Sequence, residues 1–340
     1  MIQHLSFLLM AASLAITADA APKPAAKVHS PPKPVLPLVS LDPAKTDDDY
    51  PFQGEFVGKM RDSNLAIQVI ALGKGQFDAV MCPGGLPGAG WTRQPLVRQR
   101  VSGKRESEGG GTVCFSANGW SAQLKGNDIQ LLDFKGTPIG QLSRIHRASP
   151  TLGAPPPPDA LVLFDGKSVE AFQKGARMTA DGLLMEGALT REVFGDCSLH
   201  VEFMLPYMPE ARGQGRGNSG VYLQGRYEVQ VLDSFGLAGE NNECGGIYTI
   251  AKPAVNMCLP PLTWQTYDIE FQSPTFDAAG NKITDAQITV KHNGVLIHDD
   301  VKVPHVTAAA PLPQEGEKGP LYLQNHGNPV RFRNLWLRRK

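Results

Sequence analysis

Nowhere in the 340 residues do lysine and arginine gather into a long run, and 33 basic side chains balance 33 acidic ones to a formal charge of zero. A chain of that kind has no stripe with which to neutralise a row of phosphates, which excludes nucleic acid as the expected partner. Apolar stretches long enough to cross a bilayer are missing, so no transmembrane segment is expected. Neither Cys-x-x-Cys nor His-Glu-x-x-His occurs, which removes the usual spacings of a zinc site. Helical periodicity is scarce too, whereas glycine (36) and proline (28) are plentiful. That composition favours short strands joined by turns, and the length suggests two domains.

Residues 5–16 form an apolar segment too short to span a membrane, followed by the small-x-small pattern Ala18-Asp19-Ala20. It reads as a cleaved secretory signal over residues 1–20, and predicts a secreted or periplasmic protein. Residues 21–46 are rich in proline, alanine and lysine and are expected to be a disordered tether. Strand-like runs at 65–72, 76–81, 112–116, 121–124 and 128–134 predict a small all-β domain, barrel or sandwich, over residues 47–147. Trp91 and Trp120 in it either stack on sugar rings or cover a small core. A linker over 148–160, stiffened by Pro155 to Pro158, leads into a second all-β domain at 161–340. Five cysteines in an exported chain suggest one bridge per domain, Cys82 with Cys114 and Cys244 with Cys258, leaving Cys197 as a buried thiol.

Residues 217–234 organise the second domain. Two alternating runs meet at Gly225, where the absence of Cβ permits the positive φ of a tight turn, and so a β-hairpin is predicted. Val221, Leu223, Tyr227, Val229 and Val231 form its apolar face. Tyr222, Gln224, Glu228 and Gln230 form the other, because side chains two apart point the same way. Amides, a phenol and a carboxylate suit sugar hydroxyls better than the Lys, Glu and Thr of an ordinary solvated face. The same alternation sets His200 and Glu202 against Val201 and Phe203, and Tyr322, Gln324 and His326 against Leu321 and Leu323. If these strands share one sheet, its outer surface collects a polar row along a groove.

Phe164-Asp165-Gly166-Lys167, Gly217-Asn218-Ser219-Gly220-Val221-Tyr222, Tyr227-Glu228-Val229-Gln230-Val231-Leu232-Asp233-Ser234, Cys244-Gly245-Gly246-Ile247-Tyr248, Trp264-Gln265-Thr266-Tyr267-Asp268 and Leu323-Gln324-Asn325-His326-Gly327 together resemble the 3-keto-disaccharide hydrolase domain family. The resemblance covers residues 161–338. It implies a concanavalin A-like jelly-roll β-sandwich and action on glycosides oxidised at C3. Retaining glucanases of this fold resemble Glu-x-Asp-x-x-Glu, which would fall on Glu228, Gln230 and Asp233. Gln230 breaks that pattern, so double displacement by two close carboxyl groups is not expected.

A ketone at C3 acidifies the hydrogen at C2 and opens a route by elimination followed by hydration, which needs a base, a group to hold the enolate oxygen and an acid for the leaving oxygen; direct hydrolysis is the other route left open. The catalytic candidates are His326 or Glu228 as base, with Glu202 or Asp233 as the other acid/base. Asn218, Tyr222, Gln224, Gln230, Tyr322 and Gln324 are the substrate-binding candidates, and a divalent metal on His326 and nearby carboxylates is left open. Two other classes fit the same fold: a non-catalytic carbohydrate-binding module, and a structural protein of the cell envelope.

Overall fold

The computed structural model describes residues 37–91, 98–106 and 111–340. The secretory-signal reading and the first part of the expected tether lie outside these residues. No helix among the described residues is long and apolar enough to cross a membrane.

In the first domain, alternation closes a sheet on itself. Strands β1 (Gly54–Met60), β2 (Ser63–Gly73), β3 (Gln76–Pro83), β4 (Arg100–Arg105), β5 (Val113–Ala117), β6 (Trp120–Lys125), β7 (Asp128–Asp133) and β8 (Pro138–Ile145) pair antiparallel in order, and β8 returns to β1. Closure removes the unpaired edges that an open sheet of this size would expose. Phe56, Ile67, Val69, Phe77, Phe115, Leu124 and Ile129 fill the interior. The run in β2 is apolar on both faces for a reason. Ile67, Val69 and Ala71 point into the barrel, while Ala66 and Ile70 join Val80, Cys82 and Leu86 in the core of the second domain. The barrel also presses on the backbone of that domain: a Cβ at Gly236 (φ +74°) would lie 2.5 Å from Ile70 Cδ1. Trp120 packs on the barrel core and Trp91 on the core of the second domain, under the Arg98 guanidinium.

The second domain is a two-sheet sandwich. Its strands are β9 (Leu161–Phe164), β10 (Leu184–Met185), β11 (Ala188–Phe194), β12 (Cys197–Met204), β13 (Ser219–Leu223), β14 (Tyr227–Val231), β15 (Trp264–Gln272), β16 (Thr275–Phe276), β17 (Lys282–Thr284), β18 (Ala286–His292), β19 (Val295–Val303), β20 (Gly319–Leu323) and β21 (Arg331–Arg339). The larger sheet runs β10-β21-β12-β15-β18-β19 with β9 on β21, the smaller runs β11-β20-β13-β14, and β16 pairs with β17 alone. Val201, Phe203, Tyr267 and Ile269 from the larger sheet meet Val221, Leu223, Val229, Val231 and Leu323 from the smaller. The rings of Phe203 and Tyr267 lie 4.7 Å apart. The predicted hairpin is β13–β14, turning through Gln224 (φ 54°) and Gly225 (φ 63°).

Two connecting segments differ from expectation. Ser40, placed in the tether, exchanges both backbone hydrogen bonds with Tyr207, at 3.0 and 2.8 Å. The beginning of the linker is a strap across the larger sheet. The Ser149 and Thr151 hydroxyls reach Thr266 Oγ1 (2.6 and 2.9 Å), Thr151 donates to Asp268 (2.7 Å), and the Gly153 N–H donates to Glu202 (2.5 Å).

All five cysteines are free thiols, which corrects the Cys82–Cys114 pairing. The register explains why. Cys114 stands opposite Lys104, and Lys104 opposite Gln76, six residues along β3 from Cys82. That displacement is roughly 20 Å at about 3.3 Å per residue, far beyond the reach of a bridge. Cys244 and Cys258 are unbonded as well: the Cys258 thiol donates to Leu232 O and Leu259 O at 3.5 Å each, and the Cys244 thiol pairs with the Tyr267 hydroxyl at 3.2 Å.

Candidate active site

The polar face of the hairpin is real, and three strands build it. Pairing sets Gly220 beside Gln230 and Tyr222 beside both Glu228 and Tyr322, so alternation places Asn218, Tyr222, Glu228, Gln230, Tyr322 and Gln324 on the outer face of the smaller sheet. Gly220 is needed there. A Cβ at that position would lie 2.1 Å from Glu228 Oε1, so the glycine is what lets the carboxyl lie flat across β13.

The row is closed rather than an open groove. Tyr222 is 0% exposed, Glu228 2% and Gln230 1%, and Tyr322, Gln324 and Tyr248 around them are half-buried. The Tyr222 phenol donates to Glu228 Oε2 at 2.7 Å and accepts from Gln324 Nε2 at 3.2 Å. Burial pushes the Glu228 carboxyl up to about 8, against the smaller downward pull of the phenol. A carboxyl with one neutral partner in a desolvated site keeps its proton at neutral pH. Burial and the neighbouring Glu228 likewise push the Tyr222 phenol up.

Beside this pair lies a cluster of amides. Asn218 Nδ2 and Gln230 Nε2 both donate to Gln214 Oε1, at 2.9 and 3.1 Å, and the Asn218 N–H donates to Asn328 Oδ1 at 2.8 Å. Asn218 Oδ1 and Gln324 Oε1 are buried with no donor. Orphaned acceptors of this kind are costly unless a ligand supplies the hydrogen. The residues 244–248 extend the sheet beyond β14, with the Tyr248 N–H on Glu228 O (3.0 Å) and the Gln230 N–H on Gly246 O (2.9 Å).

Three sequence candidates fall elsewhere, and each is a correction. Glu202 is on β12 of the other sheet, on the opposite face of the sandwich from Glu228. There burial opposes its charge, but the His200 ring 3.6 Å away and hydrogen bonds from Asn334, the Gly153 N–H and Arg333 prevail and hold it down at about 2. Its carboxylate is taken up by the strap and Arg333, away from Glu228. Asp233 is buried in an ion pair with Arg216 (2.5 Å) and caps the Phe235 N–H. Gln224 is consumed by the turn, its Nε2 donating to Phe194 O, Ser273 Oγ and Glu317 O. His326 is exposed, two residues beyond Gln324 on the loop after β20. Among the described residues no group of three or more His, Cys, Asp or Glu side chains is gathered to hold a metal ion, so the cation left open on His326 has no donor set. Gln214, Tyr248 and Asn328 were missed; they come from loops whose sequence carries no alternation.

A closed polar row on the outer face of a β-sandwich, with a buried carboxyl at its floor, defines a class: an all-β sandwich protein with a polar site built into its smaller sheet. Residues 159–338 match the family described as the 3-keto-alpha-glucoside-1,2-lyase-like domain. The match takes in more than half of the chain, and the chain belongs to this family. A solved protein of Parabacteroides distasonis, described as a candidate glycosyl hydrolase, is 35% identical, with 54% of this chain and 85% of that one covered and a TM-score of 0.50. Two others from the same organism, described alike, are 21% and 17% identical, with 53% and 54% of this chain and 99% and 94% of theirs covered and TM-scores of 0.39 and 0.40. Comparison with curated proteins yields no match.

Proposed function

We propose that the protein cleaves glycosides oxidised at C3 by elimination, with Glu228 as the general acid and His326 as the base. The observation that carries the reading is the Glu228 carboxyl, kept protonated at neutral pH by burial, with Oε2 taken by Tyr222 and Oε1 left over Gly220. Family membership supplies the substrate class. Removal of Glu202 and Asp233 from the site leaves Glu228 as the carboxyl that can serve.

The steps balance as follows. His326 takes the proton from C2, and the electron pair moves into an enolate on the C3 oxygen. Collapse of the enolate restores the ketone, forms the C1–C2 double bond and breaks the bond from C1 to the leaving oxygen, which takes the proton of Glu228. Water then adds across the double bond, hydroxyl to C1 and hydrogen to C2, so the net change is hydrolysis. A protonated acid near its pKa is well matched to this role and is worth roughly 10²–10⁴-fold. Asn218 Oδ1 and Gln324 Oε1 accept sugar hydroxyls, which satisfies both orphaned atoms.

The test is turnover of alkyl and nitrophenyl 3-keto-glucosides beside their unoxidised parents by wild type and Glu228→Gln. Cleavage of the keto substrates alone is expected, with the variant crippled on the alkyl glycoside and largely rescued on the nitrophenyl one, whose leaving group needs no proton. Equal losses on both leaving groups would remove Glu228 as the acid.

A further inference from the structure

A cleft of about 320 Å³ opens where the end of the barrel meets the sandwich, with Tyr50, Gln53, Asn127, Arg144, His146 and Arg147 among its lining. Its charges do not cancel. Glu55, the carboxylate in the lining, is taken on both oxygens by Arg147, through Nε to Oε2 and Nη2 to Oε1 at 2.6 Å each, and Oε1 also accepts from Gln68. Arg144 has only neutral partners. Its Nε donates to Asn127 Oδ1 (3.1 Å), Nη1 to Gln53 O (2.5 Å) and Nη2 to Pro51 O (2.6 Å), and its carbon sits 4.6 Å from the Phe56 ring centroid. A guanidinium has five N–H donors, so each terminal nitrogen keeps one to offer.

The site is built rather than incidental. Gly54 lies directly under the guanidinium, where a Cβ would stand 2.3 Å from Nη1. Gln53, 5% exposed, uses its Oε1 on the Ala71 N–H while its Nε2 is buried without a partner. A partly buried cation without a carboxylate, beside an orphaned amide donor, is unfavourable unless an anion completes it. Burial already pulls the Arg144 pKa down. The walls of Tyr50, Pro51, Leu259 and Pro260 add apolar surface of the kind that a sugar ring packs on.

We infer that this cleft binds an oxyanion, a carboxylate or sulfate carried on a sugar, at Arg144 and Gln53, separate from the Glu228 site. Binding to the full-length protein is measured by calorimetry at low salt with sodium glucuronate, sodium sulfate and glucose. Saturable binding of glucuronate is expected, with none of glucose. Arg144→Gln removes the charge, and Asn127→Asp keeps the acceptor on Arg144 Nε while neutralising the cation in place, so it tests the site without emptying it. Each should weaken glucuronate at least about tenfold, while Glu228→Gln leaves it unchanged. Sulfate as tight as glucuronate assigns recognition to the oxyanion alone, and tighter glucuronate adds the ring; both support the inference. Failure of both anions to bind, equal binding of glucose, or an unaltered affinity in Asn127→Asp overturns it.

Discussion

Glu202 and Glu228 are both buried glutamates on outward positions of a strand, one on each sheet of the same sandwich, yet one is held down at about 2 and the other pushed up to about 8. Burial acts on both in the same direction. What separates them is company: Glu202 has Arg333, His200, an amide and a backbone N–H, whereas Glu228 has one phenol. Alternation therefore sets where a carboxylate points, and its partners set what it does. The well-partnered one fastens the strap between the domains. The poorly partnered one is held towards its neutral form.

The largest effect that breaks the comparison is catalytic. Glu228→Gln is expected to lower kcat on an alkyl 3-keto-glucoside by roughly 10²–10⁴-fold, whereas Glu202→Gln should leave kcat within a few-fold; steady-state kinetics on the two folded variants check this.

Stability should reverse the order. The Glu202 pKa is depressed, so its contribution is present above the unfolded value of 4.5 and lost as pH falls towards about 2. Glu202→Gln should cost about 3 kcal/mol at pH 7 in urea unfolding, a difference that shrinks in acid. The Glu228 pKa is raised, so wild type holds more protons folded than unfolded between 4.5 and about 8 and loses stability as pH rises through that window. Glu228→Gln should then melt above wild type at pH 8, with the gap narrowing towards pH 4.5. A variant that melts lower at pH 8 would contradict a buried neutral carboxyl.

A smaller effect sharpens the comparison. Tyr222→Phe deletes the one group that lowers the Glu228 pKa, so the alkaline fall of kcat, expected near pH 8, should move upward. A pH–rate profile of the variant reads it. The smallest concerns the first domain. Cys114 is half-buried and its thiol is pushed up to about 11 by burial and by Glu106, so it should label slowly but to completion with a maleimide in the native, unreduced protein. No labelling before reduction would restore the bridge that the register forbids.

Much of this was legible in residues 217–234, because a strict period of two and a Gly-containing turn fix both the hairpin and its faces locally. Sheet membership was not. The alternation of Glu202 looks the same as that of Glu228, and only the pairing of β12 with β15 and β21, set by packing across the whole chain, places it on the far side. Strand β4, with Arg100, Lys104 and Arg105, gives little apolar signal; it is held by pairing with β3 and β5 inside a closed barrel. The strap was hidden for a similar reason. Ser149, Thr151 and Gly153 look like linker residues until their partners, more than 40 positions away, come beside them. Arg144 carried no motif at all, and its unpaired charge is visible only once Gly54 and Asn127 surround it.

The most direct measurement is a ¹³C NMR titration of the glutamate side-chain carboxyls, with Glu228→Gln and Glu202→Gln to assign the two resonances. The account predicts a Glu228 midpoint near 8 and a Glu202 resonance that stays ionised down to about pH 2. A Glu228 midpoint near 4.5 would contradict it, since the proton intended for the leaving group would be gone at neutral pH.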